Sequence, residues 1–151
     1  MALAVVASTA FAETNINIPP LIFGFYRKAH EFRISTSSPC EHDKDKRCLA
    51  KVYDEVSITK ANNNAADVHV LSYGGFGHSC EINGRGIWDG RSLSVATTPE
   101  GSTDSACTLT IRFDKAGISE VEAITMQACL GYCGAGASPG TDGLKRVRRK
   151  P

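Results

Sequence analysis

Apolar residues recur at every second position over most of this chain, and rarely at the three- and four-residue spacing of a helix. In CTLTIRFD, Cys107, Leu109, Ile111 and Phe113 fall on one side, with Thr108, Thr110 and Arg112 on the other. KVYDEVSIT puts Val52, Val56 and Ile58 together, and Asp54 interrupts the series. Across CEINGRGIW, Ile82 and Trp88 share parity with Gly84 and Gly86 between them. Glycines inside a strand mark a bulge, a bend or the close approach of another backbone. Asp89-Gly90 ahead of RSLSVAT is the two-residue signal of a type I′ hairpin. DKAG, Asp114 to Gly117, reads as a longer hairpin loop, and YGGFG, Tyr73 to Gly77, as a wide turn. SEVEAITMQA is the one stretch offering a short helix as an alternative to a strand. Such strands between turn signals predict an all-β fold, a small antiparallel barrel or sandwich of about eight strands, where closure removes exposed edges. CEHDKDKRC, ANNNAAD and TTPEGSTDSA are expected as flexible connections within a single domain, residues 13–144.

The first twelve residues, MALAVVASTAFA, break this alternation because they are apolar or small throughout. Ala10-Phe11-Ala12 has the small-x-small form cut by signal peptidase, and Glu13 opens a polar stretch. The run is too short for the roughly 30 Å of a bilayer core, so no transmembrane anchor is expected. No Lys or Arg precedes the apolar residues, which implies a start upstream of Met1. The competing reading is a terminal strand or helix buried in the domain. Residues 1–12 are therefore expected to be a signal peptide, and the mature chain to be periplasmic or secreted.

Export changes the meaning of the six cysteines, because in an oxidising compartment an even number reads as disulfides. The nearest-neighbour scheme joins Cys129 to Cys133 around Leu130-Gly131-Tyr132, and Cys40 to Cys48 across the charged loop, leaving Cys80 with Cys107. Tyr132 then sits at a loop tip, packed on the barrel end or offered to a partner. A zinc site assembled from Cys40, His42, His78, Cys80, Cys129 and Cys133 fits poorly, since only Cys129-x-x-x-Cys133 has ligand spacing. That spacing also differs from the C-x-x-C of a redox site at a helix start.

The catalytic motifs are equally thin. His78-Ser79-Cys80-Glu81 contains the residue types of a nucleophilic triad, but neighbours in a strand point to opposite faces. YGGFG lacks the Lys-Ser/Thr of a phosphate loop. No cofactor is expected, the protein is read as a non-enzyme, and a hydrolase using His78 ranks last. The ending LKRVRRKP carries Lys145, Arg146, Arg148, Arg149 and Lys150; without them 12 basic residues face 16 acidic ones. Residues 145–151 are expected as a flexible basic tail, with anionic lipid or lipopolysaccharide as the candidate contact and no nucleic acid.

Gly77-His78-Ser79-Cys80-Glu81-Ile82-x-Gly84, Trp88-Asp89-Gly90, Cys107-x-Leu109-x-Ile111-x-Phe113 and Cys129-x-Gly131-Tyr132-Cys133-Gly134-Ala135 occur in this order. Over residues 66–137 the chain resembles the C-terminal β-domain associated with LprI-type lysozyme-inhibitor-like periplasmic proteins of Gram-negative bacteria. That resemblance implies a periplasmic β-fold and, by association, a binding protein acting directly on a C-type lysozyme or another envelope protein. Gly136 stands where the family usually has arginine, and the inhibitory Ser-Gly loop of C-type lysozyme inhibitors is not recognisable. No inhibitory residue is carried over; Tyr132, His78, Lys145, Arg146, Arg148 and Arg149 remain the candidate contact residues. The alternative is an envelope protein of structural or stress function whose basic tail touches anionic lipid.

Overall fold

A computed structural model describes residues 16–33, 49–74, 77–97 and 106–148. Its strands are β1 (Gly24–Arg33), β2 (Leu49–Lys60), β3 (Ala65–Tyr73), β4 (Ser79–Trp88), β5 (Ser92–Thr97), β6 (Cys107–Phe113), β7 (Gly117–Ala123) and β8 (Thr141–Val147). Each pairs antiparallel with the next and β8 returns to β1, so the sheet is a closed barrel and not a sandwich. The alternation read from sequence is the in-out pattern of this wall. Val56, Ile58, Val68, Val70, Ile82, Leu93, Val95, Leu109 and Ile111 are buried inside. An eight-stranded barrel is just wide enough for side chains to fill it, and these do.

Outside, charges face each other across neighbouring strands: Arg27 with Glu55, Asp67 with Arg85, Arg112 with Glu120 and Glu122. This polarity is the inverse of a membrane-spanning barrel, which turns its apolar side outward. Exposed pairs of this kind are screened by solvent and contribute little to stability. Gly84 and Gly86 mark close approach, not a bend. A Cβ on Gly86 would lie 2.6 Å from Leu93 Cγ, and one on Gly84 would lie 2.9 Å from Ala96 O.

The hairpins lie where the turn residues put them, with one shift. The turn after β4 closes with the Asp89 N–H donating to Ser92 O at 3.2 Å, so Gly90-Arg91 is its centre instead of Asp89-Gly90. Gly90, at φ 99°, takes the first central position, which favours glycine. The Asp89 carboxylate accepts from the N–H groups of Arg91 and Ser92 at 2.7 and 2.6 Å, and these donors hold its pKa below the ordinary value. Asp114 repeats the device, accepting from the N–H groups of Ala116 and Gly117 at 2.7 and 3.0 Å. ANNNAAD is not a loose connection. The Asn62 side chain accepts from the Ala65 N–H at 2.8 Å, and the Ile18 N–H donates to Asn63 O at 3.0 Å. CEHDKDKRC and most of TTPEGSTDSA lie outside the described residues, as does the expected signal peptide.

The two ends differ. At the base, Ile18 and Ile22 are buried, and the Tyr26 hydroxyl donates to Ile22 O at 2.7 Å; burial raises the Tyr26 pKa. Trp88 and Phe113 fill the same end with rings edge to face. At the opposite end a connection of residues 124–140 crosses the mouth. SEVEAITMQA divides there: β7 runs to Ala123, and a single helical turn, α1 (Met126–Cys129), follows, continued by a 3-10 turn (Leu130–Tyr132).

The disulfides staple this cap, and they correct the nearest-neighbour pairing. Cys80 bonds Cys133 and Cys107 bonds Cys129; Cys129–Cys133 and Cys80–Cys107 are not formed. The reason is strand order. Cys80 is on β4 and Cys107 on β6 with β5 between, and two strand spacings of about 4.8 Å exceed the roughly 7 Å a disulfide can span. The cap lies between them and gives each a partner. Cys129 ends the helical turn and points to β6, while Cys133 is extended and pairs with Cys80 as a β-bridge. Cys40 and Cys48 lie outside the described residues. Residues 145–147 are also not part of the expected tail, because Lys145, Arg146 and Val147 complete β8 and pair with β1.

Candidate functional site

The barrel is incompletely closed by backbone, and the gap is polar. β8 pairs with β1 only from Phe25↔Val147 to Arg27↔Lys145, and beyond that β1 runs on to Arg33 while β8 stays beside β7. The opening is a cleft of about 410 Å³ at the capped end, lined by Lys28, His30, Glu31, Asp54, Tyr73 and Asp142 among others. Side chains bridge it where strands do not. Lys28 Nζ reaches the Asp142 carboxylate, and Thr141 Oγ1 donates to Asp54 Oδ2 at 2.6 Å.

Asp54 is the centre of this arrangement. It is only 5% exposed, and its Oδ1 accepts from the Tyr73 N–H at 2.8 Å. His30 Nδ1 lies 3.6 Å from Asp54 Oδ2, and the His30 ring meets Tyr73 edge to face. A carboxylate inside a barrel is costly unless donors replace its water, and here two hydrogen bonds and a facing imidazole do so. Nearby, Ser72 Oγ donates to Ser138 O at 2.9 Å and holds the end of the cap against β3. Three carboxylates, Glu31, Asp54 and Asp142, share the cleft with one lysine, so its charge is acidic. Among the described residues, no group of three or more His, Cys, Asp and Glu side chains is arranged to hold a metal ion. With Asp54 buried and occupied, the exposed carboxylates of Glu31 and Asp142 are what the cleft presents to a basic group arriving from outside, Asp142 already paired with Lys28.

The residues singled out from sequence separate into two places. His78 and Tyr132 both lie at the capped end, against different neighbours. His78 is exposed two residues before Cys80, and it lies against Gly134, where a Cβ would come within 3.1 Å of its ring. Tyr132 is half-buried against the core beside Cys133, its hydroxyl 3.5 Å from Thr97 Oγ1. Lys145, Arg146 and Arg148 lie toward the base, and Arg149 is outside the described residues. Lys28, His30, Thr141 and Asp142 carried no sequence signal. Asp54 did, because it breaks an otherwise apolar strand face.

Comparison of the chain with protein-family models, with curated proteins and with solved structures gives no match.

Proposed function

We propose that this protein is an exported binding protein that acts by direct contact through its capped end, and that its partner is a basic protein of the C-type lysozyme class. One observation carries the reading: the acidic cleft and the disulfide-held cap share one end of a barrel whose interior is filled by its own side chains. A filled barrel leaves contact to the outside. The three longest connections, 34–48, 98–106 and 124–140, all join strands at this same end, where a rigid scaffold usually presents its binding residues. Two bridges over the mouth lower the entropy lost on binding, since the cap is ordered before it meets a partner. Export is supported by the apolar residues 1–12 and by cysteines paired as disulfides. The partner class is taken from the resemblance of residues 66–137 and from charge. The chain as a whole is near neutral, 17 basic residues against 16 acidic ones, but the exposed carboxylates of Glu31 and Asp142 at the capped end favour encounter there with a strongly basic enzyme.

The test is inhibition. Purified residues 13–151 with disulfides intact should slow cell-wall lysis by a C-type lysozyme stoichiometrically and in a salt-sensitive way. Glu31→Lys, at the exposed rim of the cleft, should weaken that inhibition severalfold. Absence of inhibition at micromolar excess in low salt would replace this reading with a structural role in the envelope.

A further inference from the structure

The opposite end of the barrel carries a second surface with the opposite charge. A groove of about 940 Å³ runs beside the start of β1 and the end of β8, lined by Phe23, Phe25, Lys60, Arg146 and Arg148 among others. Arg146 is held in place. Its Nη2 donates to Phe23 O at 2.6 Å, and its guanidinium covers Gly24, where a Cβ would lie 2.9 Å from Nε. On the outer wall, Arg27, Arg85 and Arg112 are each neutralised by a carboxylate on the next strand. Lys60, Arg146 and Arg148 have no carboxylate partner among the described residues, and no acidic side chain lines their groove. In sequence, Arg149 and Lys150 follow directly.

The same end projects apolar side chains. Leu21, in the 3-10 turn (Pro20–Ile22) two residues before Phe23, is 77% exposed, the most exposed large hydrophobic residue described. Val147, which also lines the groove, is 39% exposed. Uncompensated cations beside protruding apolar groups match a bilayer interface, where lysine and arginine meet lipid phosphates and the apolar side chains enter the acyl boundary. Polynucleotide phosphates would satisfy the cations but leave Leu21 in water.

We infer that the base of the barrel docks on an anionic phospholipid surface, leaving the capped end turned away from the membrane. The inference does not depend on the identity of the partner at the cap. It also moves the lipid contact expected of a flexible tail onto a folded surface, in which Arg146 belongs to a strand and Lys60 comes from a different one.

Sedimentation of residues 13–151, the same form used for the inhibition test, with phospholipid vesicles tests this. The chain should bind phosphatidylcholine vesicles containing about one quarter phosphatidylglycerol in low salt and should not bind pure phosphatidylcholine. Lys60→Ala with Arg148→Ala should lower the partition coefficient about thirtyfold, each basic residue contributing about fivefold, and Leu21→Asp should lower it further. All three side chains are exposed, so thermal melting with disulfides intact should be unchanged. Leaving out the apolar residues 1–12 keeps them from binding uncharged vesicles on their own account. Equal binding of the double variant, equal binding to uncharged vesicles, or binding to a DNA duplex unaffected by Leu21→Asp would overturn the inference.

Discussion

Asp54 shows how one residue departs from its strand and is made tolerable. Its neighbours in register, Val52, Val56 and Ile58, fit an apolar face, and the carboxylate takes a place a valine would fill. Its oxygens are occupied by the Tyr73 N–H and the Thr141 hydroxyl, and these donors come from β3 and β8, on either side of the incompletely paired seam. Losing a buried acceptor leaves both donors desolvated, which costs about 1–3 kcal/mol for each unsatisfied group. Asp54→Ala should therefore destabilise the fold by about 2–4 kcal/mol in chemical denaturation. Asp54→Asn keeps an acceptor for Tyr73 and a polar group for Thr141, and should cost under about 1 kcal/mol. Equal stability of the alanine variant and the parent would show that the cluster contributes nothing to closing the barrel.

Among the elements, the cap is the one most dependent on covalent support. Residues 124–140 contain one four-residue helical turn and one 3-10 turn, too little regular structure to hold itself over the barrel mouth. Its apolar anchors are few, and Ile124, Met126 and Leu130 are exposed. The disulfides Cys80–Cys133 and Cys107–Cys129 close loops of 53 and 22 residues. Loop-closure entropy for those lengths corresponds to about 4 and about 3 kcal/mol. Non-reducing peptide mapping should recover these two linkages and no Cys129–Cys133 loop. Replacing Cys107 and Cys129 together by serine should lower unfolding free energy by about 3 kcal/mol. Recovery of a Cys129–Cys133 peptide would mean that the cap is stapled to itself and not to the wall.

For the whole molecule, the seam between β1 and β8 is the place where the barrel should open first. Pairing there runs only from Phe25 to Arg27, whereas β3 and β4 pair from Ala65↔Ile87 to Tyr73↔Ser79. The upper half of the seam rests on side chains, Lys28 to Asp142 and Thr141 to Asp54. Local opening free energies follow the backbone pairing and burial that must be broken. Native-state hydrogen exchange should therefore release the amides of Lys145 to Val147 well before those of Val68 to Leu71. Equal protection of the two segments would mean that the barrel opens as one unit. A weak seam beside the acidic cleft also lets the capped end adjust without disturbing the packed interior.

Sequence alone determined the all-β class, the in-out alternation and both glycine-containing hairpins, because each depends on neighbours within a few residues. Side-chain parity is fixed by the pleat, and Asp89 and Asp114 bind N–H groups two and three positions along the chain. It also marked Asp54 as an anomaly without saying what would satisfy it. Tertiary structure alone decided the disulfide partners, the cleft and the basic groove. Cys80 and Cys107 are kept apart by β5, and their partners come from a connection that begins after β7. Asp54 and Thr141 are 87 positions apart, and they meet only because the eighth strand closes on the first. Lys145 and Arg146 read as tail because charge runs usually lie outside the fold; closure made them wall, since an unpaired β1 edge would otherwise have been left exposed.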